Sequence, residues 1–416
     1  MQIILAIPSS QELEPYGGTQ EALLRDVSGV PLVIRIVATG LRAGADRVLI
    51  VHGDPLPREI HEALRSSKIL RAARGMEFVS VPLFNPGSWK SWQDLPVSLD
   101  QELLWLPWNW VTNKYALAAL SPSGRRLGAW DRPVLLRLDA ALCCDQSKPQ
   151  AAVSVEGVAV KSQKSASAAE RWLAVHSGKP LDGIYSRFNR KLCRPFVRAL
   201  THTPVTPNMV TLAGLLVAIF SAYSFAQGTY LASLTGALLF FVSGLLDEVD
   251  GMLARIRFSD SPFGTWFEGT VDNVSYLLLF IGITFGLYQQ RGPQEVLIGE
   301  VTLIGAVLSV LVISWQRKRS TRPDRPHEYL GKMYQLLEQD RGNVVSRAVR
   351  ELQMFIRKGV VIHYVVLFTA LGLLPLLLRL AALGSNLTWV LSLYFSYRFF
   401  RQQVPGVGNA EGQEAA

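Results

Sequence analysis

Four carboxylates, Asp247, Asp250, Glu268 and Asp272, stand at the margins of long apolar runs in this chain of 416 residues. Ionised side chains are expensive to desolvate in such a setting, so their presence points to a function that needs them. On a helix, residues three or four apart share a face, so 247 with 250 and 268 with 272 each project from one side. Two such faces set opposite each other gather four negative charges, and protonation or a bound divalent cation relieves the repulsion. No Cys or His stands nearby. Oxygen-only donor sets select hard ions, Mg²⁺ or Mn²⁺ with Ca²⁺ as the remaining candidate, and such ions commonly complete their shells with phosphate oxygens. The expected chemistry is therefore the handling of a phosphate-bearing substrate. Gly251 and Gly264 would let a ligand or a neighbouring helix approach the backbone. Arg255, five residues beyond Asp250, is placed to face a phosphate. Taken singly, an Asp near a helix end is a cap and a Gly in a span is a packing contact; the set at this spacing favours a site.

The elements that would position these groups are membrane spans. Hydrophobic residues make up 49% of the chain, which is high for a purely soluble protein. At about 20 residues per span, six apolar segments appear from residue 203 onward: 207–227, 229–250, 265–288, 295–315, 359–382 and 385–400, the last being short. Residues 1–178 carry 19 Lys and Arg against 17 Asp and Glu. The remainder carries 23 against 16, which is +7 of the net +9. That excess gathers at 179–200, from Arg317 to Lys358, and at Arg398 and Arg401, all on one side of an even number of spans. The positive-inside rule makes that side cytoplasmic. The placement favours a bilayer partner and no nucleic acid. The expected location is the cell (inner) membrane, multi-pass, with the soluble domain and the site cytoplasmic.

Residues 1–178 read differently. Short apolar strands alternate with helical patterns: MQIILAI, then a helical run over ALLRDVSGVPLVIRIVATGLRAGA, then DRVLIVHG, MEFVSVPL and ELLWLPW. This order predicts βαβ units and an α/β sheet. MQIILAIPSS lacks the basic start and long apolar core of a secretory signal and reads as a first strand. Cys143, Cys144 and Cys193 show neither metal nor disulfide spacing, so a reducing compartment is expected. The tail GVGNAEGQEAA is expected to be disordered.

Asp247, Asp250, Gly251, Ala254, Arg255, Gly264 and Asp272 match the signature DxxDGxxAR, eight residues, GxxxDxxxD. Through it the chain resembles the CDP-alcohol phosphotransferases, with Glu268 where that pattern has its third Asp. DGIYSRFNRKLCRPFVRAL resembles the amphipathic surface helix ahead of the first span in that family, and VTPNMVTLAG its entry to that span; the likeness covers about residues 180–400. The front region, around GVPLVIRIVATGLRAGADRVLIV, resembles the nucleotidyltransferase fold. The fusion is similar to bifunctional inositol-phosphate cytidylyltransferase and di-myo-inositol-phosphate phosphate synthase. The expected organisation is a nucleotidyltransferase-like domain at 1–178, an amphipathic juxtamembrane helix at 179–202, an all-α membrane domain of six transmembrane helices at 203–402, and a tail at 403–416. The front domain is expected to be degenerate. AIPSSQELEPYGGTQ has no basic residue before Arg25, and Trp108 and Asn109 stand where such enzymes commonly place a metal-binding acid.

The resemblance implies attack by an alcohol acceptor on the β-phosphorus of a CDP-alcohol donor, with release of CMP. It assigns Asp247, Asp250 and Glu268 to one or two divalent ions, Asp272 to general base or further ligand, and Arg255 to phosphate. Gly251, Ala254 and Gly264 would leave room for the cytidine. Asn208 and Thr211 are candidates at the mouth of the first span, with a helix start as the competing role. Arg357 and Lys358 would meet an acceptor phosphate or anchor the fifth span. A homodimer is compatible with this reading. Two rivals are a non-enzymatic ion-binding membrane protein, which should place its acids near the bilayer middle, and a catalytically impaired scaffold, which would release no CMP.

Overall fold

The structure, a computed structural model, describes residues 2–53, 55–71, 75–82, 84, 95–96, 102–118, 122–123, 133–137, 152–153, 155–178, 183–320, 346, 349 and 358–402. Expectations that fall on Cys143, Cys144, the basic residues between 321 and 345, Arg357 and the tail lie outside them. The chain divides into two compact units. The first is Met1–Asp182 with Arg194–Val205 and Gly251–Ser259; the second is Gly183–Cys193, Thr206–Asp250 and Asp260–Ala416.

The first unit is built on a mixed sheet. Its strands are β1 (Gln2–Ile7), β2 (Arg47–His52), β3 (Met76–Ser80), β4 (Glu102–Pro107), β5 (Pro122–Ser123), β6 (Val134–Arg137) and β7 (Ala152–Val153). Among the described residues the order is β3-β2-β1-β4-β6-β7-β5. β1 pairs in parallel with β2 and β4, and β2 with β3; β4 pairs antiparallel with β6. β1 and β2 are near-continuous apolar runs, as expected of strands covered on both faces. Ile3, Leu5 and Ile50 pack into one core layer, and Ile4, Leu49 and Val51 into the other. The helix α1 (Leu32–Arg42) makes the crossover, and α2 (Arg58–Ser66) and α3 (Gln163–Val175) follow.

The helical run expected across 22–45 is interrupted. A helix over Gly18–Leu24 ends, a two-rung hairpin pairs Asp26–Val27 with Val30–Pro31, and α1 starts after it. Ser28 and Gly29 turn the hairpin with positive φ, 55° and 75°, and Pro31 supplies no N–H to a continuing helix. Arg35 of α1 is 1% exposed and gives both Nε and Nη2 to the Val27 carbonyl. Burial draws its guanidinium down to about 10, while Asp26 and Glu170 pull the other way.

The remaining helices are α4 (Ile184–Thr201), α5 (Pro207–Ala226), α6 (Tyr230–Arg257), α7 (Pro262–Arg291), α8 (Gln294–Ser320), α9 (Lys358–Ala370) and α10 (Leu374–Gln402). Among the described residues five are long and apolar enough to cross a membrane: α5, α6, α7, α8 and α10. A sixth apolar helix over Gly359–Ala370 is shorter. The break expected between the segments 359–382 and 385–400 falls earlier. Gly372 takes φ 68°, its N–H reaches Thr369 O and the Leu373 N–H reaches Phe368 O. This is the left-handed glycine stop that closes helices. Pro375 sits in the first turn of α10, where its missing N–H costs nothing, and the helix then runs unbroken through Gly384. The segment expected as one span over 359–382 is therefore two helices, and α10 absorbs the expected last span.

Candidate active site

The lengths of α6 and α7 place the carboxylates. Twenty residues cross a bilayer core of about 30 Å, and these helices have 28 and 30. Counting that span from Tyr230 on α6, and back from Arg291 on α7, leaves Asp250 and Asp272 at the boundary. Because only residues 258–261 separate the helices, both boundaries lie at the same end. Ser261 caps α7 by accepting the Gly264 N–H at 3.0 Å.

Carboxylate oxygens of Asp247, Asp250 and Glu268 all lie within 4.8 Å of one another. Asp250 is 2% exposed and the other two are half-buried. Thr211 on α5 donates to Asp250 Oδ2 at 2.5 Å and also to Pro207 O at 3.1 Å. Asp272 lines one cleft with Asp247, Asp250 and Thr211, but it is not one of the three mutually close carboxylates. Oxygens bound to a common ion at about 2.0–2.6 Å lie at most about 5 Å apart. The separation and the all-oxygen donor set therefore fit a divalent cation held by Asp247, Asp250 and Glu268.

The other expected residues divide. Asn208 is exposed on the first turn of α5; a Cβ on Gly264 would meet its Oδ1 at 3.4 Å, so these two do come together. Thr206, not Asn208 or Thr211, caps α5, which frees Thr211 for Asp250. Gly251, Ala254 and Arg255 lie on the last turns of α6, within the first unit. There the Arg255 Nε donates to Ser177 O at 2.7 Å, and its Nη1 stands 3.1 Å from where a Gly251 Cβ would be. The Ala254 carbonyl accepts from Ser259 N. Lys358 is the first residue of α9, and Arg357 lies outside the described residues.

Ser243, Ser275 and Tyr276 also line the cleft and were not singled out from sequence. Their spacing held the signal: Ser243 is four residues before Asp247, and Ser275 and Tyr276 follow Asp272 by three and four, one helical turn toward the span interior. A second group that could hold a cation, Asp26, Glu170 and His202, lies in the first unit. One oxygen of each carboxylate is already engaged: His202 meets Asp26 Oδ2 at 3.4 Å and Glu170 Oε1 at 3.1 Å, and the N–H groups of Gly29 and Ser28 donate to the same two oxygens.

A model of the family described as CDP-alcohol phosphatidyltransferase matches residues 204–338. An uncharacterized protein of Aquifex aeolicus is 30% identical over 204 residues, 48% of this chain and 87% of that protein. Residues 204–338 of the chain belong to the CDP-alcohol phosphatidyltransferase family. The chain is 33% identical over 132 residues to the archaetidylinositol phosphate synthase of Methanothermobacter thermautotrophicus, 32% of this chain and 62% of that protein. It is also 33% identical over 146 residues to the bifunctional IPC transferase and DIPP synthase of Rubrobacter xylanophilus, 35% of this chain and 32% of that protein. The chain spans 62% and 55% of the length of the archaetidylinositol phosphate synthases from Methanothermobacter thermautotrophicus and Pyrococcus horikoshii.

Where a triphosphate-binding loop would follow β1, the first unit folds into short helices over Ser10–Leu13, Glu14–Tyr16 and Gly18–Leu24. They carry Glu12, Glu14 and Glu21, and Arg25 is turned onto Glu21 and the Tyr16 carbonyl. Trp108 packs edge-on against Tyr16.

Proposed function

We propose that this protein is an integral-membrane CDP-alcohol phosphotransferase that moves a phosphoryl-alcohol group from a CDP-alcohol to an alcohol acceptor. The observation that carries the reading is the convergence of Asp247, Asp250 and Glu268 beside Asp272, at one end of two adjoining spans. The acceptor oxygen forms a bond to the β-phosphorus, the bridging oxygen to the α-phosphorus leaves with CMP, and Asp272 takes the acceptor proton. Asp247, Asp250 and Glu268 would hold Mg²⁺ or Mn²⁺, which when bound neutralises charge on the pyrophosphate. Thr211 fixes the Asp250 carboxylate; Gly251, Ala254 and Gly264 leave room for the nucleotide; Arg255 serves phosphate, and Asn208 is a further substrate-binding candidate at the mouth of the first span. The site faces the cytoplasm of a cell with this protein in its inner membrane, on the basic flanks of the spans.

Several relatives are named for inositol phosphate products, which supports a phosphorylated polyol acceptor, met by Arg357 and Lys358. Among its described residues the first unit holds the sheet with Glu12, Glu14 and Glu21 following β1, which supports a degenerate nucleotidyltransferase-like domain. The test is CMP release by the purified full chain from a panel of CDP-alcohols with polyol phosphates and glycerophosphates. Activity should require Mg²⁺ or Mn²⁺ and fall at least about a hundredfold in Asp250→Asn, given the charge and ligand removed. Near wild-type release by that variant refutes the site.

A further inference from the structure

We propose that Arg190 is a positioning residue for the carboxylate site, acting through Glu248 to hold α6 at the rotation that turns Asp247 and Asp250 toward Glu268. The inference rests on the reading of those carboxylates as a divalent-cation site.

Along α4, Ile184, Phe188 and Leu192 fall at helical spacing and are exposed, whereas Asn189, Arg190 and Cys193 are buried. A helix with apolar groups outward and polar groups inward suits a lipid surface on one side and specific polar partners on the other. Three such partners are present. Asn189 Nδ2 donates to Gly359 O at 3.3 Å, Cys193 Sγ to Leu245 O at 3.4 Å, and Arg190 Nε to Glu248 Oε2 at 3.0 Å. Leu245 and Glu248 are three apart and lie on one side of α6.

That side is not the one facing the site. At about 100° per residue, Glu248 points about 100° from Asp247 and about 160° from Asp250, so the ion pair grips α6 from its flank. A carboxylate oxygen stands about 6 Å from its helix axis, so a rotation of only 10° displaces it by about 1 Å. Ligand distances tolerate a few tenths of an ångström, and binding constellations are lost at about that displacement. The Arg190 and Glu248 side chains are 10% and 16% exposed. A pair this buried contributes little net stability over apolar residues of similar volume, and a directional hold on the helix is what apolar packing does not supply.

The experiment titrates Mn²⁺ into the full chain in lipid nanodiscs, reading free Mn²⁺ by electron paramagnetic resonance, with thermal midpoints measured in parallel. Arg190→Met should weaken Mn²⁺ binding about tenfold or more. The double variant Arg190→Met with Glu248→Leu removes both charges of the pair and should recover the thermal midpoint while Mn²⁺ binding stays weak. The swap Arg190→Glu with Glu248→Arg should regain most of the affinity. A double variant that binds Mn²⁺ like the wild type shows that the pair serves only folding and overturns the inference alone. Wild-type protein that binds no Mn²⁺ overturns both the inference and the metal reading beneath it.

Discussion

Replacing Thr211 by Val removes one hydroxyl from the site and almost no volume. In the structure that hydroxyl donates to Asp250 Oδ2 at 2.5 Å, and both residues are buried, 6% and 2% exposed. A hydrogen bond to a charged group contributes about 1.5–3 kcal/mol, and partners that orient a metal ligand change metal affinity by about 10–100-fold; at about 1.4 kcal/mol per tenfold the two ranges agree. Without the donor, the carboxylate loses the contact that holds Oδ2 in place, and cation binding must restore that orientation. Thr211→Val should therefore raise the Mn²⁺ dissociation constant by about 10–100-fold, with CMP release at saturating metal falling less. Thr211→Ser, which keeps the donor, should stay within about threefold of wild type, a margin set by its extra rotamer freedom. Calorimetric or spectroscopic Mn²⁺ titration of the full chain decides the matter. An unchanged dissociation constant in the Val variant would show that the bond seen at Asp250 does not orient a ligand.

Further expectations address Glu268, Cys193 and the front unit. Glu268→Asp should keep or improve turnover and shift the preference between Mg²⁺ and Mn²⁺, since ligand length sets the cavity, while Glu268→Ala should weaken metal binding far more than it lowers the thermal midpoint; equal effects on both would count against a ligand role. Cys193 is 1% exposed, and burial, with Glu248 next in effect, raises its thiol to about 12. Peptide-mapped alkylation at pH 8 should thus be slow until the chain is denatured. The sign follows from a folded value above the unfolded one: this stability is complete below about pH 9 and is lost as pH rises toward 12, so Cys193→Ser should flatten the alkaline limb of the stability curve. The full chain given CTP, Mg²⁺ and polyol phosphates should release no pyrophosphate, because Glu12, Glu14 and Glu21 occupy the region where a cradle would need positive charge; measurable release would restore a nucleotidyltransferase role.

The clustering of the carboxylates was legible in the sequence because they stand at fixed helical spacing. Asp247 with Asp250, and Glu268 with Asp272, had to share faces once their helices formed, and the apolar runs left little doubt about those helices. Thr211 was legible as a residue but not as a partner of Asp250, since 39 positions separate them and no local pattern encodes a contact between spans. The spans were hard both to bound and to count: six were expected, and among the described residues five helices are long and apolar enough to cross. LGLLP carries both a glycine stop and a proline start, yet continuous apolar composition across 359–382 hides it from any window that averages over twenty residues. The front unit shows the opposite balance: the alternation of strands and helices disclosed the sheet, while Ser28, Gly29 and Pro31 broke a helical run in a way that only turn geometry explains. Arg190 and Glu248 were the least legible of all. In the sequence Arg190 is one of many basic residues ahead of the first span, and Glu248 is the acid that the signature skips. Their pairing appears only when α4 lies along α6, so a search for function guided by signature residues alone passes over the contact that fixes how those residues point.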